Sequence, residues 1–535
     1  MTRRQFGLFA LAQRQAKRPN ILFVLADDYG WNAPGCYGNK DAATPAIDKL
    51  AKEGMRFLTA YAEPQCSPTR AALFSGQYGA RTGLFKVIHE VEPANSMMTI
   101  PEANVAMQPD VATLASSLRN AGYTTGILGK WHIADQYQAA EIKNLDEYFR
   151  RYGFDFASPA GERAYPEDKA VTALTDETIR YIESAGAKPW FAYLAHFTTH
   201  TRLAAPKALV EKFAARGYKR TSSPTAKYSE RPTAEYLAMV EHLDNEMGRL
   251  LAKLDALGQT LNTVVIFTAD NGGLSRMASM APLREGKGSP YEGGTRVPLI
   301  IRWPGQIPPG TTDATPTHTI DHYPTLMEIA GARPPTGHKL DGLSLLPVLR
   351  KRARLRRDTL YWYTPTYTLM YGRTPCSWLR AGDWKLIHWF GDYLDPTGQT
   401  PDNRVYGTLR AGARTELYHL KDDPSETRDL ASARPAKTAE LMGRLQAWWR
   451  ETGGEGAGEE SELRSSEVAA GAVGFADSSI LRFIISMTRW DPPSLFEYLR
   501  MSLRSLTKRA MSRVCARALR SSLSAAAQPS VSTRI

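Results

Sequence analysis

The chain has 535 residues, of which 43% are hydrophobic and 23% are charged, and its formal net charge is +12. This length allows one large core and a smaller second core. The four cysteines exclude a disulfide framework, and the lack of a long apolar run excludes a membrane-spanning helix.

The N-terminus carries paired arginines, Arg3 and Arg4, followed by a short apolar run at residues 7–12. This arrangement is typical of a twin-arginine export signal, so residues 1–17 are interpreted as an export leader of a periplasmic or secreted protein. The apolar run is short and no small-x-small cleavage site is clear. A basic leader on a cytoplasmic protein is therefore the alternative.

Four apolar runs, rich in β-branched and aromatic residues, each stop at polar groups able to bind a metal or an anion. Short runs bounded by turn residues predict strands buried on both faces of a largely parallel sheet. Open α/β sheets bind ligands beyond the carboxyl ends of such strands. The runs are 21–26 before Asp27 and Asp28, 124–128 before Lys130 and His132, 190–195 before His196 and His200, and 263–269 before Asp270 and Asn271.

The segments between these runs predict helices. Residues 44–54 begin with a Thr-Pro cap and end at glycine, and Val111, Leu114 and Leu118 form the apolar face of a second helix. The longest helix, residues 233–257, carries a Met and Leu stripe that indicates core packing. Alternating strands and helices predict an α/β fold with a large doubly wound, mostly parallel sheet flanked by helices, over residues 18–350.

Asp27, Asp28, Asp270 and Asn271 supply carboxylate and amide oxygens from two strand ends. Hard oxygen ligands suit Ca²⁺, with Mg²⁺ as the competitor, and no Cys/His set has zinc spacing. Either pair alone is more simply a strand-terminating turn. Two pairs, both directly after buried strands, favour a metal site.

Three cations, Arg70, Lys130 and Lys287, and two histidines, His132 and His200, complete the candidate set. Fixed cations stabilise an anionic ester during group transfer, and a histidine can move the protons. Each residue alone is more simply a surface charge or a core histidine. Their shared position after strand ends favours a common site.

Cys66 is followed by proline two residues later and by Arg70 four residues later. This spacing resembles the modification motif of type I sulfatases, the formylglycine-dependent, arylsulfatase-like members of the alkaline-phosphatase-like superfamily. A buried inert thiol is the alternative for this pentapeptide alone. Further segments resemble sulfatase motifs in order along residues 18–450, namely 122–132, 194–201, 268–272 and 286–298.

The resemblance implies that a formylglycine-generating enzyme converts Cys66 to formylglycine (3-oxoalanine) during maturation. It implies that this residue binds Ca²⁺ together with four other residues, Asp27, Asp28, Asp270 and Asn271. One hydroxyl of the aldehyde hydrate then attacks sulfur, which is covalent catalysis. Gln65, Ser75, Leu128 and Arg202 depart from the common pattern without replacing a catalytic group.

The resemblance also assigns roles to the cations and histidines. Arg70 and Lys130 would fix the hydrate, while Lys130 and Lys287 would grip the sulfate. His200 would protonate the leaving alcohol, and His132 would take a proton from the second hydroxyl so that the aldehyde is regenerated.

A Pro-rich stretch at 333–335 and a basic run at 350–357 follow the α/β part, and the basic run is most simply a solvated linker. Short aromatic runs then predict strands, and they resemble the small antiparallel sheet and closing helix of sulfatases, over residues 351–450. Their aromatic side chains are interpreted as packing residues, with a sugar-binding face as the alternative. The predicted strands are 360–363, 378–380, 384–387 and 416–420, and the helix contains Leu441, Leu445, Trp448 and Trp449.

Residues 451–535 are rich in Ser, Ala, Arg and Gly, and the part from Leu481 onward carries +8 of the net charge of +12. This composition predicts a basic, disordered tail. A basic amphipathic helix over residues 495–519, for a membrane surface or nucleic acid, is the alternative. Nothing before residue 451 indicates a nucleic-acid module.

The leading interpretation is a calcium- and formylglycine-dependent hydrolase of aryl or carbohydrate sulfate esters. A phosphate or phosphonate ester hydrolase with the same fold is the alternative, because these anionic esters make similar demands on a site. An inactive, sulfatase-like binding protein would lack a nucleophile or a metal ligand, and this chain retains all of them.

Overall fold

Nine strands form the central sheet, in the order β4-β3-β5-β1-β6-β7-β2-β8, with β9 paired to β2. The computed structural model describes residues 18–453 except 89–99, 105, 110, 135–141, 143, 159–160, 162–163, 221–231, 276, 369–370, 372 and 396–407. The strands are β1 (Asn20–Ala26), β2 (Met55–Tyr61), β3 (Thr124–Gly129), β4 (Phe156–Ala157), β5 (Trp190–Ala195), β6 (Thr263–Ala269), β7 (Arg296–Arg302), β8 (Thr311–Asp313) and β9 (Thr317–His318).

The four predicted strands, β1, β3, β5 and β6, are confirmed and lie side by side in parallel. Their last residues are in register, because Ala26 pairs with Ala269 and Gly129 pairs with Ala195. The polar residues that follow them therefore meet at one edge of the sheet. The predicted α/β class is correct.

Two strands that the sequence pattern did not predict, β2 and β7, interrupt the parallel pairing of the sheet. β7 runs antiparallel to β6, and β2 runs antiparallel to β7, with Tyr61 opposite Arg296. Two reversals bring the end of β2 and the start of β7 to the edge where the parallel strands end. The segments that hold Cys66 and Lys287 start from that same edge.

Helices flank the sheet and follow the predicted apolar periodicity. The second predicted helix begins at Leu114, so Val111 lies before it, because the Thr113 side chain accepts from the Ser116 amide at 2.9 Å and caps the helix. The helices are α1 (Pro45–Glu53), α2 (Cys66–Ser75), α3 (Gly79–Thr82), α4 (Leu114–Asn120), α5 (Leu145–Arg150), α6 (Val171–Ser184), α7 (Lys207–Ala215), α8 (Ala234–Ala256), α9 (Glu292–Thr295), α10 (His322–Ile329), α11 (Leu346–Leu349) and α12 (Pro435–Thr452).

A second, antiparallel sheet follows, as predicted, in the order β10-β11-β12-β15, and α12 packs on it. Its aromatic side chains form a core in which Trp362 stacks on Trp378 at 5.7 Å between ring centroids. The strands are β10 (Thr359–Thr364), β11 (Cys376–Ala381), β12 (Trp384–Trp389) and β15 (Arg414–His419), with a separate pair β13 (Asp392–Asp395) and β14 (Thr408–Ala411).

Buried ion pairs join the two sheets. Lys385 of β12 lies with its Nζ 3.1 Å from Glu292 of α9 and 2.8 Å from Glu426. All three side chains are buried, so each charge depends on the others for its stability. The described residues all belong to one compact unit, and the predicted domain boundary at residue 350 stays a prediction.

The prediction that residues 350–357 form a solvated linker is wrong at its last residue. Arg357 donates to Asp321 at 2.8 Å, and its side chain is only 8% exposed. The Asp321 carboxylate also accepts backbone bonds from His318 and Leu343 and is fully buried, so it requires a cation nearby.

Helix α12 extends past the predicted boundary at residue 450. Thr452 is buried, and Gly453 caps the helix in the left-handed conformation. The predicted leader, residues 1–17, and residues 454–535 of the predicted tail lie outside the described residues.

The structure describes three of the cysteines, and each of them is a free thiol: Cys36, Cys66 and Cys376. Among the helices that the structure describes, none combines the length and the apolar composition of a membrane span.

Candidate active site

Cys66 is the first residue of α2, directly after Gln65 in extended conformation, and its side chain is only 1% exposed. Burial raises the pKa of the Cys66 thiol, and the nearby cations Lys130 and Lys287 only partly oppose this shift. An unmodified Cys66 therefore stays protonated at neutral pH. A protonated thiol is a weak nucleophile.

The two carboxylates after β1 are completely buried. Lys130 donates from Nζ to Asp27 Oδ2 at 2.5 Å, and Lys287 Nζ lies 2.7 Å from Asp28 Oδ1. Burial would raise the pKa of Asp27, but the charges of Lys130, Arg70 and Lys287 oppose it and hold that pKa below its usual range. Asp27 is therefore ionised throughout the physiological range.

The residues after β6 connect to the same pair. The Asp28 amide donates to Asp270 Oδ1 at 3.1 Å, and Asn271 Nδ2 donates to Asp28 Oδ1 at 2.8 Å. Burial and the charge of Asp27 raise the pKa of Asp270 to about 6, against the opposing charge of Arg70. A further cation at this position would lower that pKa again.

Arg70 fixes the position of helix α2 relative to the end of the sheet. Its guanidinium donates to Asp270 Oδ2 from Nη2 at 2.7 Å and from Nε at 3.2 Å, and to the Lys130 carbonyl at 2.7 Å. Both bonds end on the same carboxylate oxygen, while Oδ1 of Asp270 accepts from the Asp28 amide. The three cations thus face three carboxylates in a buried, balanced cluster.

Two buried side-chain oxygens of this cluster, Asp27 Oδ1 and Asn271 Oδ1, accept no hydrogen bond from the residues that the structure describes. Buried polar atoms in proteins nearly always have a partner. Two such oxygens, beside the carboxylates of Asp28 and Asp270, are the ligand type that Ca²⁺ binds. The residues present therefore fit a divalent cation.

Both candidate histidines are neutral at neutral pH. Burial, with the charges of Lys287 and Lys130, lowers the pKa of His200 to about 4. Burial, with Lys130 and Arg70, also lowers the pKa of His132 well below its usual value. His200 Nδ1 lies 2.6 Å from the Thr201 carbonyl, so Nδ1 carries the proton and Nε2 is the basic nitrogen.

His200 also faces the acidic pair, because Asp27, Asp28 and His200 each offer a ligand atom within 4.8 Å of the others. Imidazole is a poorer ligand than oxygen for a hard cation such as Ca²⁺. The structure thus brings the predicted catalytic and metal-binding residues into one cluster, and their roles remain predictions.

Two contributors to the site were not predicted. Thr199 donates from Oγ1 to the Asp28 carbonyl at 2.8 Å, and Tyr193 accepts from Arg70 at 3.3 Å. Thr199 lies within the matched segment 194–201, so its position was a usable signal. Tyr193 lies within the apolar run of β5, and that pattern predicts only a buried strand residue.

The α/β fold, with carboxylates, cations and a buried nucleophile candidate at one edge of its sheet, defines a hydrolase of anionic esters. Residues 19–332 match the sulfatase family model, and residues 287–395 match the model for the C-terminal part of N-sulphoglucosamine sulphohydrolase. The chain belongs to the sulfatase family, whose members are sulfuric ester hydrolases.

Relatives match along most of the chain. A sulfatase of Formosa agariphila is 31% identical, over 83% of this chain and 92% of that protein. The N-acetylgalactosamine-6-sulfatase of Mus musculus is 30% identical, over 78% of this chain and 83% of that protein. The crystal structure of Ps i-CgsB in complex with k-i-k-neocarrahexaose is 27% identical, with a TM-score of 0.62, covering 81% of this chain and 93% of that one.

Proposed function

We propose that this protein hydrolyses aryl or carbohydrate sulfate esters with a formylglycine at position 66 and a calcium ion in the carboxylate cluster. The observation that supports this most directly is the place of Cys66, which lies at the start of α2 among buried cations and carboxylates. A formylglycine-generating enzyme is the proposed partner in maturation, and the periplasm or the cell exterior is the proposed location.

The proposed calcium ligands are Asp27, Asp28, Asp270 and Asn271, together with residue 66. A bound calcium ion would supply positive charge that polarises the sulfate and favours a deprotonated nucleophile. Lys130 and Lys287 pair with Asp27 and Asp28 in the structure. With a metal ion on these carboxylates, the two ammonium groups would be available to bind the sulfate.

The aldehyde hydrate of a formylglycine would supply one hydroxyl for attack on sulfur and a second for release of sulfate. Arg70 orients this region, because it is held rigidly by Asp270 and by the Lys130 carbonyl. Lys130 and Lys287 would bind the sulfate oxygens, where negative charge is present throughout the transfer.

His200 would donate a proton to the leaving alcohol, and His132 would accept one from the second hydroxyl. The lysine charges contribute to the low pKa of His200 in the free protein. A bound sulfate ester opposes those charges, so it raises the pKa of His200 toward the range in which an imidazolium can donate.

Turnover of matched aryl esters tests the proposed reaction class. We expect kcat/KM for nitrophenyl sulfate to exceed that for nitrophenyl phosphate and for the bis-ester, bis(nitrophenyl) phosphate, by at least about tenfold. This factor corresponds to roughly 1.4 kcal/mol of barrier. The three substrates share a leaving group, so the ratio reports the transferred anion. Faster turnover of the phosphate monoester or of the bis-ester would favour the alternative function.

Replacing His200 with asparagine is expected to impair poor leaving groups selectively. Nitrophenolate leaves without a proton, whereas a sugar alkoxide needs one, so the loss on a sugar sulfate should exceed the loss on nitrophenyl sulfate by roughly 100-fold. The ratio of the two rates is the measurement, because it does not depend on the folded fraction. The control His196→Asn, a buried histidine at the same strand end, should leave the ratio unchanged; equal losses in His200→Asn would contradict the assigned role.

A further inference from the structure

A buried arginine of the C-terminal part lies between the two segments that carry Cys66 and Lys287. Arg373 is 0% exposed and sits between β10 and β11. Its Nη1 donates to the Gly288 carbonyl at 2.9 Å, and its Nη2 donates to Gln65 Oε1 at 2.8 Å. One planar guanidinium thus contacts the residue before Cys66 and the residue after Lys287.

The guanidinium is held in place by its own loop. Arg373 Nη2 also donates to Thr368 Oγ1 at 2.7 Å, and the backbones of Thr368 and Arg373 exchange hydrogen bonds. The side chain is therefore fixed at its base and at its tip. A group fixed in this way transmits the position of the second sheet to whatever it contacts.

The two contacted segments also meet directly, because the Gly288 amide donates to the Pro64 carbonyl at 2.8 Å. Gly288 has a φ of +86°, and a Cβ there would lie 2.4 Å from the Tyr371 side chain. The backbone beside Lys287 is thus tightly enclosed. Arg373 adds the polar contacts that join this enclosed backbone to helix α2.

We infer that Arg373 and Gln65 form a positioning pair that sets the distance between residue 66 and Lys287. The inference rests on the proposed function, in which residue 66 attacks sulfur and Lys287 binds the sulfate. It also accounts for Gln65, whose departure from the common sulfatase pattern becomes a matched acceptor for Arg373. Displacement of reacting groups by about 1 Å can cost roughly 100-fold in rate.

The test compares Arg373→Lys, Gln65→Met and the double variant in the full-length, matured protein. Each single variant is expected to lower kcat/KM on an aryl sulfate by about 10-fold to 100-fold, with unchanged aldehyde content at residue 66. The double variant should be no worse than the more impaired single variant, because both substitutions break one contact. Binding of inorganic sulfate, measured by calorimetry, should weaken in parallel.

A matched control is Arg357→Lys, which alters another arginine of the C-terminal part with a largely buried side chain, one that pairs with Asp321 and not with Gln65 or Gly288. It should lower the melting temperature but leave kcat/KM and sulfate binding unchanged. If Arg373→Lys does not fold, Gln65→Met alone decides, because the loop contact to Thr368 is retained.

Two results would overturn the inference. One is parental kcat/KM in the folded variants with only a lower melting temperature, which means that Arg373 merely stabilises its loop. The other is a loss of kcat/KM in the double variant that equals the product of the two single-variant losses, because the two residues would then act independently. If the parent protein shows no turnover, the proposed function fails, and unchanged sulfate binding in the variants would then reject the positioning pair separately.

Discussion

Replacing Cys66 with serine or alanine is expected to lower turnover of an aryl sulfate by at least about 1,000-fold, or roughly 4 kcal/mol of barrier. Neither side chain can supply two hydroxyls on one carbon, which the proposed reaction requires for attack and for release. The fold should survive, because both replacements are small and Cys66 begins a helix that is held by Arg70 and the sheet.

Peptide mass spectrometry of the parent protein gives the companion measurement. Oxidation of the thiol carbon to an aldehyde lowers the mass of the tryptic peptide 57–70 by about 18 Da and makes it reactive toward hydrazides. The control Cys36→Ser alters a free thiol outside the cluster and should keep full turnover. An active parent protein with an unmodified thiol at residue 66 would refute the assignment.

Asp270→Asn is expected to remove bound calcium and to lower turnover by a similar factor, about 1,000-fold or more. The exchange removes one negative charge from the cluster but keeps an oxygen for Arg70, which lies 2.7 Å away. Alanine would be a poorer choice, since it leaves the buried guanidinium without its partner and destabilises the fold.

Elemental analysis of the purified protein measures the metal directly, and circular dichroism measures the fold. The matched control is Asp168→Asn, another buried aspartate, which pairs with His242 at 3.1 Å. That variant should retain calcium and turnover. Stoichiometric zinc in the active protein, or full turnover after divalent ions are removed, would contradict the proposed metal site.

The parallel part of the sheet could be predicted because its strands are buried on both faces and read as unbroken apolar runs. β2 and β7 could not be predicted in this way. β2 contains Arg56 and Thr59, which interrupt its apolar run, and β7 contains Pro298, which argues against a strand. Their direction is fixed by tertiary pairing, which no local pattern records.

The candidate site shows the same division. Asp27, Asp28, Asp270 and Asn271 follow predicted strands, so their proximity follows from the sheet itself. Cys66 and Lys287 lie beside β2 and β7, which no apolar run predicted. Only the resemblance to sulfatase motifs indicated Cys66, and Lys287, which was expected after a strand end, instead precedes β7. Arg373 belongs to no motif, and its role becomes visible only when the second sheet is packed against the first.

The near-complete burial of Cys66 constrains the order of events during biosynthesis. A thiol that is 1% exposed cannot enter the active site of another protein, so under the proposed function the oxidation must precede closure of the fold. Arg373, which closes the contacts around Gln65, is synthesised about 300 residues after Cys66, or roughly 15–60 s later at common translation rates. Under the proposed function, maturation would therefore compete with folding, and a chain that folds early would be trapped with an unmodified thiol.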